Sequence, residues 1–276
     1  MIKALIFDLD GTLLTGQKQI AESSREALKR CREKGIRVFV ATARAPMLDK
    51  MLGWGPETMA LFDGGIFCNG SCEKVGEEAF YHYIDAEAVR ICLEEAAQYP
   101  DLQIALHLTG DLHAFNHHLP DELLGPWGLE RREALQILDL PDADVAGQAI
   151  KILLYHNYLI GNRQLLPEGL FETLRVRCAG RAALHLLDKG KTIQVVPLGV
   201  DKVSGIEKVR LVLGLQPEEI AVFGDDFNDL DMLRTYPNSV AMGNAEEAVK
   251  AAARFVTRTN DEDGIAYALT ELLQIL

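Results

Sequence analysis

Two carboxylates directly follow a short apolar run near the start of the chain. Residues 2–7 read Ile-Lys-Ala-Leu-Ile-Phe, which predicts a buried strand, and Asp8 and Asp10 then stand two positions apart. A strand directs residues i and i+2 to the same side, and Gly11 permits a sharp turn immediately after them. Two close carboxylates repel each other unless a cation neutralises them or one carries a proton. The pattern therefore indicates a chemical site at the end of a buried strand.

Strands and helices alternate on both sides of the middle of the chain. A helix is expected at 22–34, where Gly35 would end it. Alternating strands and helices are typical of a parallel sheet that is covered by helices on both faces. We therefore predict an α/β fold with a Rossmann-like, doubly wound parallel sheet at its core. Further strands of this core are predicted at 36–41, 59–62, 66–69, 220–223 and 239–242.

The middle of the chain has an α+β character. Alternating residues at 102–108 and 112–116 flank Gly110, which predicts a β-hairpin. This hairpin would bring His107 and His113 close together, and we interpret them as structural, with a substrate contact as the alternative. The predicted domains are a core formed by 1–82 and 191–276, and an inserted α+β cap domain for substrate specificity at 83–190.

Composition argues against several classes of protein. The 28 Lys and Arg residues against 41 Asp and Glu residues give a formal charge of −13, whereas binding to nucleic acid or to an anionic membrane requires basic surfaces. The sequence has neither a secretory leader nor a run near the roughly 18 apolar residues of a membrane span, so we expect a cytoplasmic protein. Its five cysteines lack zinc-type spacing, which indicates reduced, structural thiols. We expect a monomer or weak homodimer.

Polar residues follow three of the predicted strands. Ligands of doubly wound sheets bind at the carboxyl ends of the strands, so these residues are expected to converge. Oxygen ligands without thiolates favour Mg²⁺, and a hydroxyl and a guanidinium in the same cavity are typical of a phosphate site. The converging set is Asp8, Asp10, Thr42, Arg44, Asp225, Asn228 and Asp229.

Four segments resemble, in order, the motifs of the haloacid dehalogenase-like phosphatases. They are Asp-Leu-Asp-Gly-Thr-Leu-Leu at 8–14, Thr-Ala-Arg at 42–44, Asp-Lys at 201–202 and Gly-Asp-Asp-Phe-Asn-Asp at 224–229. The segments 240–245 and 260–265 look like the Cof-type subgroup, which carries its α+β cap between the second and third motifs. The resemblance spans nearly the whole chain outside the interior of the cap. It departs at Ala43 and Val203, where the family usually or often has glycine.

The resemblance implies a role for each motif residue. Asp8 would attack phosphorus and form an aspartyl-phosphate, and Asp10 would protonate the leaving alcohol and later activate water. Lys202 would hold a phosphate oxygen and offset the negative charge at Asp8. The implied Mg²⁺ ligands are Asp8, the main-chain carbonyl of Asp10, and Asp225, supported by Asp229, and the implied substrate or phosphate contacts are Thr42, Arg44, Lys202 and Asn228.

These features predict a Mg²⁺-dependent phosphatase for small phosphorylated metabolites, such as sugar phosphates. Two alternatives stay open: a phosphomutase that uses the same aspartyl-phosphate, and a phosphometabolite-binding protein without catalysis. Asp10 argues against the binding protein, because binding alone does not need a second acid. Asn69-Gly70 is interpreted first as a turn and second as a substrate contact, and Asn244 is interpreted as a helix cap.

Overall fold

The computed structural model describes two compact units. The described residues are 1–156, 165–187 and 190–276. The first unit consists of Met1–Arg44, Trp54–Phe80 and Asp201–Leu276, and the second of Ala45–Gly53 and Tyr81–Val200. The division into core and specificity cap at 83–190 stays a prediction. Within the described ranges, no helix has the length and apolar character needed to cross a membrane.

Strands and short helices alternate along most of the chain. The strands are β1 (Ala4–Phe7), β2 (Arg37–Ala41), β3 (Gly64–Phe67), β4 (Cys72–Val75), β5 (Glu78–Tyr81), β6 (Leu102–Leu108), β7 (His113–Phe115), β8 (Ala134–Gln136), β9 (Ala149–His156), β10 (Ala182–Leu187), β11 (Thr192–Pro197), β12 (Ile220–Gly224), β13 (Asn238–Ala241) and β14 (Phe255–Val256). The helices are α1 (Glu22–Glu33), α2 (Leu48–Leu52), α3 (Pro56–Met59), α4 (Ala86–Ala96), α5 (Asp121–Trp127), α6 (Asp142–Gln148), α7 (Leu170–Arg177), α8 (Lys202–Leu213), α9 (Leu230–Thr235), α10 (Glu247–Lys250) and α11 (Gly264–Tyr267).

An eight-stranded sheet in the order β14-β13-β12-β1-β2-β3-β4-β5 organises the first unit. The pairings from β14 to β3 are parallel, and β4 pairs antiparallel with β3. Ala4 and Ile6 alternate along β1 and pack with Ile206 and Val209 of α8 in one apolar cluster. This architecture confirms the predicted α/β fold with a Rossmann-like parallel sheet.

The strand predicted at 59–62 is wrong. The chain forms helix α3 over Pro56–Met59 instead, and the next strand, β3, begins at Gly64. A proline in the first turn of a helix has a suitable φ and lacks only an N–H group that would have no partner there. The local conformation set by Pro56 therefore outweighs the apolar run that follows it.

The second unit contains a six-stranded sheet in the order β10-β11-β9-β6-β7-β8. Its pairings are antiparallel except between β7 and β8. The predicted hairpin is confirmed, because β6 and β7 pair antiparallel with His107 opposite His113. Helix α2 also belongs to this unit, where Lys50 donates hydrogen bonds of 2.8 Å to Asp111 and Glu133.

Candidate active site

Three carboxylates meet at the carboxyl ends of β1 and β12. Asp8 follows β1, Asp225 follows β12, and Asp229 lies one turn further on. One oxygen of each lies within 4.8 Å of one oxygen of the other two, and we call these three residues the acidic cluster. Among the residues that the structure describes, no other set of three histidines, cysteines or carboxylates comes as close together.

A buried lysine binds two members of the acidic cluster. Lys202 Nζ donates to Asp8 Oδ1 and to Asp229 Oδ1, both at 2.7 Å. Lys202 is the first residue of α8, and Asp201 caps this helix by accepting the main-chain N–H of Ser204 at 2.8 Å. Burial disfavours the ammonium, but the two carboxylates outweigh it and raise the pKa of Lys202. The lysine is therefore a fixed positive charge between two acids.

Burial and mutual repulsion favour the neutral forms of two of these acids. Burial raises the pKa of Asp8 to about 7, with a further rise from Asp229 and an opposing effect of Lys202. Burial also raises the pKa of Asp225 to about 6, partly opposed by a hydrogen bond from Thr12. The ion pair of Lys202 and Asp8 is charged, because the ammonium contacts two carboxylates, and burial, followed by the negative charge of Asp229, raises the pKa of Asp8.

Two glycines allow the loops of the acidic cluster to approach each other. Gly11 has φ +95°, and a Cβ atom there would lie 2.2 Å from Asp225 Oδ2. A Cβ atom at Gly224 would lie 2.5 Å from Cβ of Asp229. Any larger residue at either position would push a carboxylate out of the cluster.

Two neutral side chains fix Asp225 in place. Thr12 is fully buried and donates its hydroxyl hydrogen to Asp225 Oδ1 at 2.6 Å. Asn244 Nδ2 donates to the carbonyl of Gly11 at 2.9 Å and to Asp225 Oδ2 at 3.4 Å. These bonds tie the loop after β1 to the loop after β12. The helix cap interpreted from the sequence is wrong, because α10 begins at Glu247, its N-cap residue is Glu246, and no side chain of a described residue caps it.

Asp229 holds its own loop as well as Lys202. Its side chain is fully buried, and its Oδ2 accepts the main-chain N–H groups of Asp225 at 3.0 Å and Asp226 at 3.1 Å. Both oxygens of Asp229 therefore have hydrogen-bond donors within the chain. This arrangement suits a residue that supports a metal site from behind better than one that binds the metal directly.

Asp10 lies in a different electrostatic environment. Arg44 Nε and Nη2 donate to its two carboxylate oxygens at 2.7 and 2.8 Å, and Lys18 Nζ donates to Oδ1 at 2.7 Å. Burial favours the neutral acid, but these hydrogen bonds outweigh it and lower the pKa of Asp10 to about 2. Asp10 is therefore ionised in this arrangement.

Thr42 lies beside this ion pair, in the loop that follows β2. Its N–H donates to the carbonyl of Ile66 at 2.8 Å, and its Oγ1 accepts the N–H of Arg44 at 3.1 Å. Since the hydroxyl oxygen serves as an acceptor here, its hydrogen can be donated to a ligand. Thr42 is buried, which makes such a hydrogen bond strong.

The structure does not bring all of the predicted site residues together. Asn228 is exposed, and its side chain makes no hydrogen bond with any described residue. The Asp10 carboxylate lies outside the acidic cluster, so its role as a metal ligand, which was expected through the main-chain carbonyl, stays a prediction. Sequence reasoning gave no role to Lys18, although it contacts Asp10, and none to Thr12 beyond its place in the first motif.

The donor set of the acidic cluster fits a hard divalent cation. Carboxylate oxygens without nitrogen or sulfur ligands are typical of Mg²⁺ sites. Each carboxylate oxygen has two lone pairs, so Asp8 Oδ1 can bind a cation beside Lys202 and Asp225 can bind it beside Thr12, which leaves Asp8 Oδ2 available. These two residues would therefore hold the ion.

A family model and similar proteins identify the family of this chain. The family model described as haloacid dehalogenase-like hydrolase matches residues 5–269. The 5-amino-6-(5-phospho-D-ribitylamino)uracil phosphatase YcsE of Bacillus subtilis is 27% identical over 97% of this chain and 94% of its own length. The pyridoxal phosphate phosphatase YbhA of Escherichia coli is 29% identical over 96% of each chain.

A solved structure supports the same conclusion. The HAD subclass IIB sugar phosphatase BT4131 matches with a TM-score of 0.75 at 26% identity, and the match covers 99% of this chain and 100% of that one. The similarity thus extends over both units and all four motifs. The chain belongs to the haloacid dehalogenase-like hydrolases, and it is a phosphatase of that family that acts on phosphorylated substrates.

Proposed function

We propose that this phosphatase is a Mg²⁺-dependent phosphomonoester hydrolase for small phosphorylated metabolites, sugar phosphates or related esters. The observation that carries the proposal is Lys202, which binds Asp8 and Asp229 at 2.7 Å within a cluster of three carboxylates. A structural ion pair would need one acid for one lysine. Three acids around one lysine leave negative charge for a divalent cation and an oxygen of Asp8 for chemistry.

Asp8 is the proposed nucleophile. Lys202 holds Asp8 Oδ1, and the carboxylate attacks phosphorus while the bond from phosphorus to the ester oxygen breaks. The products of this step are an aspartyl-phosphate and an alkoxide, and the alkoxide takes a proton from Asp10. Water then gives a proton back to Asp10 and attacks phosphorus, which releases inorganic phosphate and restores Asp8. Mg²⁺, held by Asp8 and Asp225, would neutralise charge on the transferring phosphoryl group.

Arg44 controls the proton on Asp10 in this scheme. Asp10 can protonate a leaving group only when it carries a proton, but Arg44 and Lys18 keep it ionised in the structure described above. A bound phosphate dianion competes with Asp10 for Arg44, because both accept bidentate hydrogen bonds from a guanidinium. Substrate binding thus raises the pKa of Asp10 at the moment when it must act as an acid.

Three kinds of substrate are named for the relatives: a ribitylaminouracil phosphate, pyridoxal phosphate and a sugar phosphate. They share a small organic group on a phosphomonoester, and we extend this class to the present chain. The same proposal includes the cap at 83–190 as the specificity domain and a cytoplasmic location. It also includes a monomer or weak homodimer that has no nucleic-acid or membrane partners. Light scattering on purified protein tests the oligomeric state.

Phosphate release from a panel of sugar phosphates, nucleotides and cofactor phosphates tests the proposal. We expect turnover with Mg²⁺ and none after chelation. Asp8→Asn is expected to abolish turnover, because the amide has nearly the same shape but is a poor nucleophile. Asp226→Asn, an exposed neighbour of the acidic cluster, is the matched control and is expected to keep most of the activity. No phosphate release from any ester by the wild type would refute the proposal.

The same assay in ¹⁸O-labelled water separates a hydrolase from a phosphomutase. A hydrolase transfers the phosphoryl group to water, so the released phosphate carries one solvent oxygen. A phosphomutase returns the group to a second substrate hydroxyl, and isomerised ester accumulates without label. Tight ligand binding without turnover would instead favour the non-catalytic alternative.

A further inference from the structure

The chain leaves β3 through three successive left-handed residues. Cys68, Asn69 and Gly70 have φ values of 50°, 55° and 103°. Glycine adopts such values freely and asparagine tolerates them, but cysteine does so rarely. Backbone strain of this kind persists where the surrounding structure imposes it, and it concentrates at ligand sites.

Two elements of the active site hold this segment. The main-chain N–H of Cys68 donates to the carbonyl of Arg44 at 2.9 Å, and that of Asn69 donates to the carbonyl of Thr42 at 3.0 Å. On the other side, a Cβ atom at Gly205 of α8 would lie 3.3 Å from Cα of Gly70. The segment therefore lies between the loop of Thr42 and the helix that begins at Lys202.

The side chain of Asn69 carries a hydrogen-bond acceptor that the chain does not use. Asn69 Oδ1 is buried, and no described residue donates a hydrogen bond to it. The great majority of buried polar atoms in folded proteins have such a partner. The fully buried hydroxyl oxygen of Ser71 in the same turn is in the same situation, so an ordered water between these two atoms is the structural alternative.

We propose that Asn69 is a specificity-determining residue whose Oδ1 accepts a hydrogen bond from a hydroxyl or amino group in the organic part of the substrate. This proposal rests on the proposed function. A phosphomonoester dianion has only acceptor oxygens on phosphorus, so it cannot satisfy an amide oxygen. The donor must come from the leaving group, and the site therefore favours polyhydroxylated or amino-substituted esters over alkyl esters.

Two six-carbon primary esters, sorbitol 6-phosphate and hexyl phosphate, test this inference. They differ in their hydroxyl groups. The ratio of kcat/KM for sorbitol 6-phosphate to that for hexyl phosphate therefore measures how well the enzyme recognises hydrogen-bond donors of the substrate. Asn69→Gly fits the positive φ and removes the acceptor, and we expect this variant to lower the ratio about tenfold. Asn69→Asp keeps an acceptor oxygen and tolerates the same backbone, so it is expected to keep the ratio close to that of the wild type.

Ser71→Ala is the control for an ordered water. If Asn69 Oδ1 only binds water together with Ser71, then Asn69→Gly and Ser71→Ala change both esters alike and leave the ratio within twofold of the wild-type ratio. That result would overturn the inference and leave the proposed function standing, because the wild type still releases phosphate. Wild-type protein that releases phosphate from other esters of the panel but not from sorbitol 6-phosphate would overturn this inference alone, whereas no release from any ester would refute the proposed function.

Discussion

Asp229→Asn is expected to destabilise the protein although the new side chain has the same size. Lys202 donates to Oδ1 of Asp229, and two main-chain N–H groups donate to Oδ2. Asparagine has one acceptor oxygen and one NH₂ group, so it must direct a donor either at the ammonium or at the main-chain N–H groups. A lost hydrogen bond to a charged group costs about 1.5–3 kcal/mol, and a buried polar group without a partner costs about 1–3 kcal/mol more. We therefore expect the free energy of unfolding to fall by about 3–5 kcal/mol.

Urea unfolding followed by circular dichroism measures this loss. Asp226→Asn makes the same chemical change three residues earlier, but Asp226 is exposed and caps a turn by accepting the N–H of Phe227 at 2.7 Å. That control is expected to lose no more than about 1 kcal/mol. Equal losses in the two variants, or a loss below about 1 kcal/mol for Asp229→Asn, would refute the argument that this buried carboxylate organises the loop.

Three further predictions address backbone, pH and metal. Gly11→Ala places a Cβ atom 2.2 Å from Asp225 Oδ2 and is expected to lower kcat more than tenfold. Its control is Gly35→Ala, because Gly35 has a similar positive φ but no atom within 4 Å of the added Cβ, and this variant is expected to keep wild-type kcat. Equal kcat values in the two variants would contradict the prediction. Burial lowers the pKa of His113 to about 4, so this group takes up a proton on unfolding between about pH 6.5 and 4. Its own contribution to the free energy of unfolding therefore falls by about 1.4 kcal/mol per pH unit as pH drops through this window. His113→Phe is expected to remove that contribution from the measured slope in urea titrations read from Trp127 fluorescence in a Trp54→Phe background, and an unchanged slope would contradict this. Mg²⁺ at about 100 times its Kd is expected to stabilise the wild type by about 2.7 kcal/mol, which a rise in Tm that a chelator reverses would show. Asp225→Asn is expected to abolish this rise in Tm, and the control Asp226→Asn is expected to keep it.

The sequence predicted the parts of the site that depend on local chemistry. Asp8 and Asp225 follow apolar runs that form adjacent parallel strands, so their convergence follows from the topology of such sheets. Lys202 was assigned from its motif, and its place as the first residue of α8 follows from the capping side chain of Asp201. In each case a short run of residues fixes both the backbone and the side-chain position.

The remaining contacts depend on how distant segments meet. Lys18 contacts Asp10 and itself has a positive φ of 61°. No pattern in the sequence indicates the turn that this φ creates. Asn244 bonds to the carbonyl of Gly11 across 233 positions, so only the folded chain reveals its role. Lys50 lies between two predicted core strands but bonds within the second unit, because its partners are decided by tertiary contacts.

The charges of the site divide into two sets, and this division explains how an acidic protein can bind an anion. The acidic cluster with Lys202 carries two net negative charges when fully ionised, which one divalent cation would neutralise. Asp10 with Arg44 and Lys18 carries one net positive charge. The loaded site is therefore positive although the chain has a formal charge of −13. Because exposed charges more than about 8 Å apart are largely screened at physiological salt, this local balance, and not the overall charge, determines whether a phosphate ester binds.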